Sequence, residues 1–262
     1  MDDSKRGFLK IAGGTVLGTL GAAWAKAALG QTPEVGTPAV SSQPKRLWGM
    51  VVDVRRCREK AGCDACIRAC HVNHNVPSIG SPKEEVKWIW KEPYPNAFPT
   101  QAHRFTEEGL RDQQLPVLCN HCENPPCVRV CPTQATWKRP EDGVVMMDPH
   151  RCIGCRYCLA ACPYGSRSFN WSDPRLHLSG ETNPDYPTRT RGVVEKCTFC
   201  AERLADGKSP LCVEACRAEG AGALFFGDLQ DPGSEVAELL RRHHSIRRKP
   251  ALGTGPQVYY LV

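Results

Sequence analysis

The chain has 262 residues, with 23 glycines, 22 prolines, sixteen cysteines and only 7% aromatic residues. This length suits one large domain or two small ones, and the glycine and proline content argues for turns and short elements over long helices. The formal net charge of +6 is modest, weak grounds for a nucleic-acid partner.

The N-terminus reads as an address. Lys5, Arg6 and Lys10 precede a weakly apolar stretch from Ile11 to Ala25, which ends in small residues. This is signal-peptide anatomy, and the stretch is too short and glycine-rich for a membrane span. Ser4-Lys5-Arg6-Gly7-Phe8-Leu9-Lys10 resembles the twin-arginine export motif, with lysine at the first arginine. Residues 1–28 are therefore expected to be a twin-arginine-type signal peptide and the Pro/Ser/Thr/Gly-rich residues 29–45 a linker. The corresponding expected location is periplasmic.

The rest of the chain repeats one device four times. Cys57, Cys63, Cys66 and Cys70 form the first run. Trp88, Trp90, Tyr94 and Phe98 crowd the segment after it, and core packing is expected for most of them over a docking role. His71 and His74 read as turn or surface residues. The second run is Cys119, Cys122, Cys127 and Cys131. Thr136–Lys138 and Val144–Met147 then read as a hairpin turning at Glu141-Asp142-Gly143.

The third run is Cys152, Cys155, Cys158 and Cys162, followed at once by Pro163. Its C-x2-C-x2-C-x3-C-P spacing is the bacterial ferredoxin pattern. Three cysteines wrap one [4Fe–4S] cubane, and the fourth reaches the neighbouring one. The second run has the same form with a longer loop, so the two should exchange their last cysteines. The fourth run is Cys197, Cys200, Cys212 and Cys216. It and the first run each contain a C-x2-C and a C-x3-C element, and they read as a second ferredoxin-like pair. A helix is expected to begin near Gly233 and to end in the basic stretch Leu239–Pro250, read as a solvated helix end where cations suit the dipole.

Eight disulfides would also use every cysteine, but C-x2-C beside C-x3-C gives poor bridging geometry. Four zinc sites would satisfy the count without explaining the x2, x2, x3, proline spacing. A zinc-stabilised interaction module stays as an alternative. Four thiolate-held cubanes of roughly −2 each would offset the basic excess, which leaves no case for nucleic acid. No phosphate loop, Ser–His arrangement or paired-carboxylate site stands out, so the chain is not expected to be an enzyme by itself.

The four-run order, the export motif and the tail Ala251–Val262 ("ALGTGPQVYYLV") resemble the four-cluster iron–sulfur subunits of the molybdopterin oxidoreductase family, of the NrfC–PsrB type. The resemblance implies an α+β fold of tandem, nested bacterial 2x[4Fe–4S] ferredoxin-like modules with short hairpins, short helices and long loops. The domain would span 46–262, with a central module at about 115–170 and an outer one from 46–114 plus 190–262. The implied ligand sets are Cys57, Cys63, Cys66 and Cys216; Cys197, Cys200, Cys212 and Cys70; Cys119, Cys122, Cys127 and Cys162; and Cys152, Cys155, Cys158 and Cys131.

"CHVNHNVP" (Cys70–Pro77) and "PKEEVKWIWKEPYPNAFP" (Pro82–Pro99) are similar to the exported ferredoxin subunit, DsrO, of the membrane complex associated with dissimilatory sulfite reductase. That similarity implies an electron-transfer subunit with four [4Fe–4S] clusters. Its partners would be a polytopic quinone-interacting membrane subunit and a multihaem cytochrome, and it would associate with the membrane through them. The alternative within this class is the iron–sulfur subunit of a polysulfide-, tetrathionate- or nitrite-reductase-type enzyme, partnered by a molybdopterin subunit.

Overall fold

The computed structural model describes residues 45–178, 180 and 182–262. The expected signal peptide and all of the expected linker but Lys45 lie outside the described residues. The rest is the expected mixture of short helices and strands. Among the described residues, no helix is long and apolar enough to cross a membrane.

Strand β1 (Trp48–Asp53) is a run of apolar residues ended by Asp53. The Asp53 carboxylate accepts from the amides of Arg55 (3.0 Å) and Arg56 (3.1 Å), which caps the helix Val54–Glu59 that carries Cys57. The helix Ala65–Asn73 follows with Cys66 and Cys70. Strands β2 (Ile89–Pro93) and β3 (Gln114–Leu118) pair antiparallel, with Trp90 opposite Val117. Strands β4 (Thr136–Lys138) and β5 (Val145–Met147) form the expected hairpin, with Thr136 opposite Met147. Gly143 supplies the left-handed turn residue, at φ +75°. Two-residue strands β6 (Ser168–Phe169) and β7 (Val194–Glu195) then pair antiparallel.

Strands β8 (Leu224–Asp228), β9 (Ser245–Ile246) and β10 (Val258–Leu261) join β1 in one sheet of order β8-β1-β10-β9. β1 and β10 are parallel, with Met50 opposite Val258, so the two ends of the described chain are stitched together. The period of two sorts β1 between two faces. Met50 and Val52 join the main core with Tyr260, Trp88 and Phe98, while Val51 packs with Phe225, Leu261 and Val236 on the other side. The helix Glu235–Arg242 covers that second face, close to its expected start. Ser234 Oγ caps it by accepting from the Ala237 amide (3.3 Å), with Glu235 and Glu238 in the first turn and Arg241 and Arg242 in the last.

Trp88, Trp90, Tyr94 and Phe98 are all buried, as packing required. Phe98 meets Tyr260 edge-on, with ring centroids 5.0 Å apart. Two polar residues depart from expectation. His74 is fully buried rather than at the surface, because it fits between Trp88 and Tyr186 and finds hydrogen-bond partners there. Arg248 leaves the solvated basic stretch and donates inward to the Ala97 carbonyl (3.3 Å).

Candidate metal centres

The cysteine runs use one local device. In three of the five C-x2-C loops the residue before the second cysteine has left-handed φ: His121 (41°), Gly154 (69°) and Phe199 (57°). That turn points backbone amides back at sulfur. Gly154 N donates to Cys152 Sγ and Phe199 N to Cys197 Sγ, each at 3.4 Å. At position 154 a side chain would also collide with the Gly192 carbonyl. The C-x3-C elements lie on or at the ends of helices, where four-residue spacing puts both thiols on one face. Cys66 and Cys70 ride on Ala65–Asn73, and Cys212 and Cys216 on Leu211–Ala218. Cys127 opens a single helical turn, Pro126–Arg129, behind the Pro125-Pro126 pair.

All sixteen thiols are free, and only Cys155 among them is exposed. They gather in groups that draw on different runs. Burial pushes Cys66 up to about 12, and the neighbouring Cys216, Cys57 and Cys63 add to the effect. Burial with Cys216 and Cys63 lifts Cys57 to about 11. Cys70 is held well above its ordinary value by burial, then by Cys197, Cys212 and Cys200. Burial and the nearby Cys119, Cys127 and Cys162 take Cys122 to about 12, against a hydrogen bond from Thr254. Those four cysteines line one small cavity with Arg167 and Tyr164. Burial lifts Cys158 to about 11; Arg167 opposes the shift, and Cys127, Cys152 and Cys131 reinforce it.

The groups also interact with one another in a series. Cys66 is an electrostatic neighbour of Cys70 and Cys212, Cys197 of Cys119, and Cys127 of Cys158. The order is therefore the Cys57 group, the Cys197 group, the Cys119 group and the Cys152 group. Cys131, at the outer end, shifts the other way. Its limited burial raises it, but amide and hydroxyl donors from Thr136, Thr133 and Ala135 lower it overall.

A polar layer lies behind the thiols. His74 Nδ1 donates to the Cys70 carbonyl (2.8 Å), and Nε2 meets Glu202 Oε1 (3.0 Å). Burial opposes its imidazolium, but hydrogen bonds to Cys200 and Glu202 carry it up to about 9. Arg167 donates to Cys127 Sγ (3.0 Å) and Thr136 Oγ1 (2.8 Å). The Lys196 ammonium donates to the carbonyls of Val145 and Cys197. Asn120, next to Cys119, has both side-chain polar atoms buried without a protein partner. Sequence reasoning missed Arg167, Lys196 and Asn120. Lys196 and Asn120 adjoin cysteines, and Arg167 lies five residues past Cys162; that proximity was the only available signal.

This donor set fits iron–sulfur clusters. Buried thiols crowded into groups resist ionisation unless a cation replaces their protons. Soft thiolates backed by N–H donors, with an orphaned amide in the loop, suit a cofactor that carries acceptor sulfurs of its own. Fold and site thus define a multi-cluster iron–sulfur electron-transfer protein. Comparisons with known proteins agree. A family model described as a 4Fe-4S dicluster domain matches residues 111–177. The chain is 41% identical to the Hdr-like menaquinol oxidoreductase iron-sulfur subunit 1 of Archaeoglobus fulgidus, over 98% of this chain and 97% of the relative. It is 37% identical to a tetrathionate reductase subunit of Salmonella typhimurium, over 100% of this chain and 89% of the relative. It is 38% identical to the menaquinone reductase iron-sulfur cluster-binding subunit of Nitratidesulfovibrio vulgaris, over 82% and 88%. The chain belongs to this family of [4Fe–4S] iron–sulfur subunits of oxidoreductase complexes. It binds [4Fe–4S] clusters, and its sixteen cysteines equal in number the ligands that four such clusters need. It is an electron-carrier subunit and not itself the catalytic enzyme.

Proposed function

We propose that the chain is a four-cluster relay, built as two nested ferredoxin-like modules, that passes single electrons between a polytopic quinone-interacting membrane subunit and further redox partners. The linear order of the four thiol groups is the observation that carries this reading. The proposed ligand sets are Cys57, Cys63, Cys66 and Cys216; Cys197, Cys200, Cys212 and Cys70; Cys119, Cys122, Cys127 and Cys162; and Cys152, Cys155, Cys158 and Cys131. When bound, the clusters supply the one-electron chemistry. The protein's residues space, insulate and tune them. Exposed Cys155, flanked by exposed Ile153 and Tyr157, offers one terminus for exchange with a partner.

Two of the relatives are named for menaquinol or menaquinone, which supports a quinone-side partner. We further propose a place in dissimilatory sulfur metabolism, in the sulfite-reductase-associated complex whose exported ferredoxin the segments Cys70–Pro77 and Pro82–Pro99 resemble. A multihaem cytochrome would be the other partner. The proposed location is the periplasm, reached by the twin-arginine route with residues 1–28 as signal, and residues 29–45 joining it to the cluster domain. The similarity to the tetrathionate reductase relative favours a second reading, an iron–sulfur subunit beside a molybdopterin catalytic subunit.

Iron and sulfide quantitation with EPR at stepped potentials tests the core reading. Anaerobically prepared protein should hold about sixteen irons per chain. Cys216→Ser should alter the same EPR centre as Cys63→Ser, and Cys212→Ser a different one. If Cys216→Ser and Cys212→Ser alter one common centre, the crossed ligation is wrong. Co-purification from membranes decides between the complexes: a quinone-interacting subunit with a cytochrome, or a molybdopterin subunit.

A further inference from the structure

Two cations lie buried in the middle of the relay, and among the described residues no carboxylate pairs them. Arg167 is 5% exposed and Lys196 is 1% exposed. Arg167 donates to Cys127 Sγ at 3.0 Å and Thr136 Oγ1 at 2.8 Å, and approaches Met147 Sδ at 3.6 Å. Lys196 donates to two backbone carbonyls, of Val145 and Cys197. The partners are thus sulfurs, a hydroxyl and carbonyls. The contrast is Arg189, equally buried, whose Nε sits 2.7 Å from the Glu195 carboxylate.

The anionic neighbours of both cations are cysteines. Arg167 faces Cys127, Cys119 and Cys158; Lys196 faces Cys119, Cys197 and Cys127. Arg167 therefore stands at the joint between the Cys119 and Cys152 groups, and Lys196 at the joint between the Cys119 and Cys197 groups. The Cys119 group faces both. The two cations also repel each other, and together with Arg139 they oppose ionisation of the buried His121. An arrangement of like charges in a low-dielectric interior persists only beside a compensating anion.

We propose that Arg167, seconded by Lys196, is a tuning residue that raises the reduction potential of the cluster held by the Cys119 group, making it an electron-holding point within the relay. The proposal rests on the four-cluster reading above. Reduction of that centre by one electron, drawn from a cluster of an adjoining group that is oxidised by one, adds one negative charge and breaks no bond. Fixed positive charge and an N–H donor on a ligand sulfur both favour the more negative state. Arginine suits the position because it cannot release its proton.

The test is an EPR-monitored redox titration of the full-chain holoprotein, with iron and sulfide counted in every variant. The centre is assigned as the one whose signal changes in Cys122→Ser. Arg167→Gln keeps an N–H donor and removes the charge. It should weaken reduction of that centre at least tenfold, a 59 mV fall for a one-electron couple. Lys196→Gln should lower the same centre, and Arg167→Lys should recover more than half of the Arg167→Gln shift. The proposal is overturned if Arg167→Gln and Lys196→Gln retain full iron and move no midpoint by as much as threefold, or move different centres. It is equally overturned if Arg167→Lys shifts as far as Arg167→Gln. Loss of four irons in both Arg167 variants would make the residue structural and also sink the proposal. Loss in Arg167→Gln alone leaves the midpoint in Lys196→Gln to decide. A wild-type chain without four clusters would fail the earlier reading first, so the two failures are distinguishable.

Discussion

His74 shows how much a single side chain can depend on its surroundings. A histidine one turn after Cys70 has nothing in sequence to separate it from a surface residue. In the fold it is sealed beneath Trp88 and held by the Cys70 carbonyl and Glu202. Its folded pKa, raised to about 9 from 6.5, gives a definite sign. Stability from the imidazolium is fully present below about pH 6.5 and is lost as pH rises through about 9. We therefore expect His74→Gln to be less stable than wild type in thermal unfolding of the holoprotein at about pH 6, with the gap narrowing above pH 9. A gap that widens with pH would contradict this account. At Gly154 the backbone decides instead. With φ at +69° and the Gly192 carbonyl oxygen where a Cβ would press, Gly154→Ala should cost at least about 1–2 kcal/mol. Faster loss of iron to a chelator would report it.

At the scale of elements, the hairpin β4–β5 and the helix Glu235–Arg242 were legible because their signals are local: a glycine turn between apolar runs, and charges sorted toward the two helix ends. The sheet was not legible. β1 and β10 are about two hundred residues apart and pair in parallel, and no turn chemistry announces such a partner. The loop before β7 is fixed by a network that reaches back across the sequence to Asn75 and Trp88. Arg189 bridges Glu195 and donates to the Asn75 carbonyl (2.7 Å), while Glu195 accepts from Trp88 Nε1 (2.9 Å) and Asn170 Nδ2 (2.6 Å). Removing one partner strands the other as a buried charge. Arg189→Met should therefore destabilise the holoprotein by about 3–5 kcal/mol in denaturant unfolding. A cost within 1 kcal/mol would show that the pair is dispensable.

For the whole molecule, the relay has one exposed thiol terminus. Ile153 is 67% exposed and Tyr157 62%, both beside Cys155. Apolar and aromatic side chains left in water next to a redox loop mark a contact face. Ile153→Asp with Tyr157→Asp should slow electron exchange with the purified partner by about tenfold and leave iron content and midpoints unchanged. An unchanged rate would move the exchange point elsewhere.

The sequence by itself determined the cofactor. Ferredoxin spacing is a local geometric requirement: three thiols must reach one cubane within a single loop. The aromatic segment Trp88–Phe98 was also readable as core, since bulky apolar residues have to be covered. Only the tertiary structure decided which groups of thiols adjoin one another. It also decided that Arg167 and Lys196 lie unpaired between them and that His74 is sealed inside. The physical reason is range. Spacing and turn chemistry act over a few residues and are written in order along the chain, whereas the electrostatics of a buried site sum over groups that meet only after folding. Thus Lys196, one residue from Cys197 in sequence, interacts more strongly with Cys119, seventy-seven positions away.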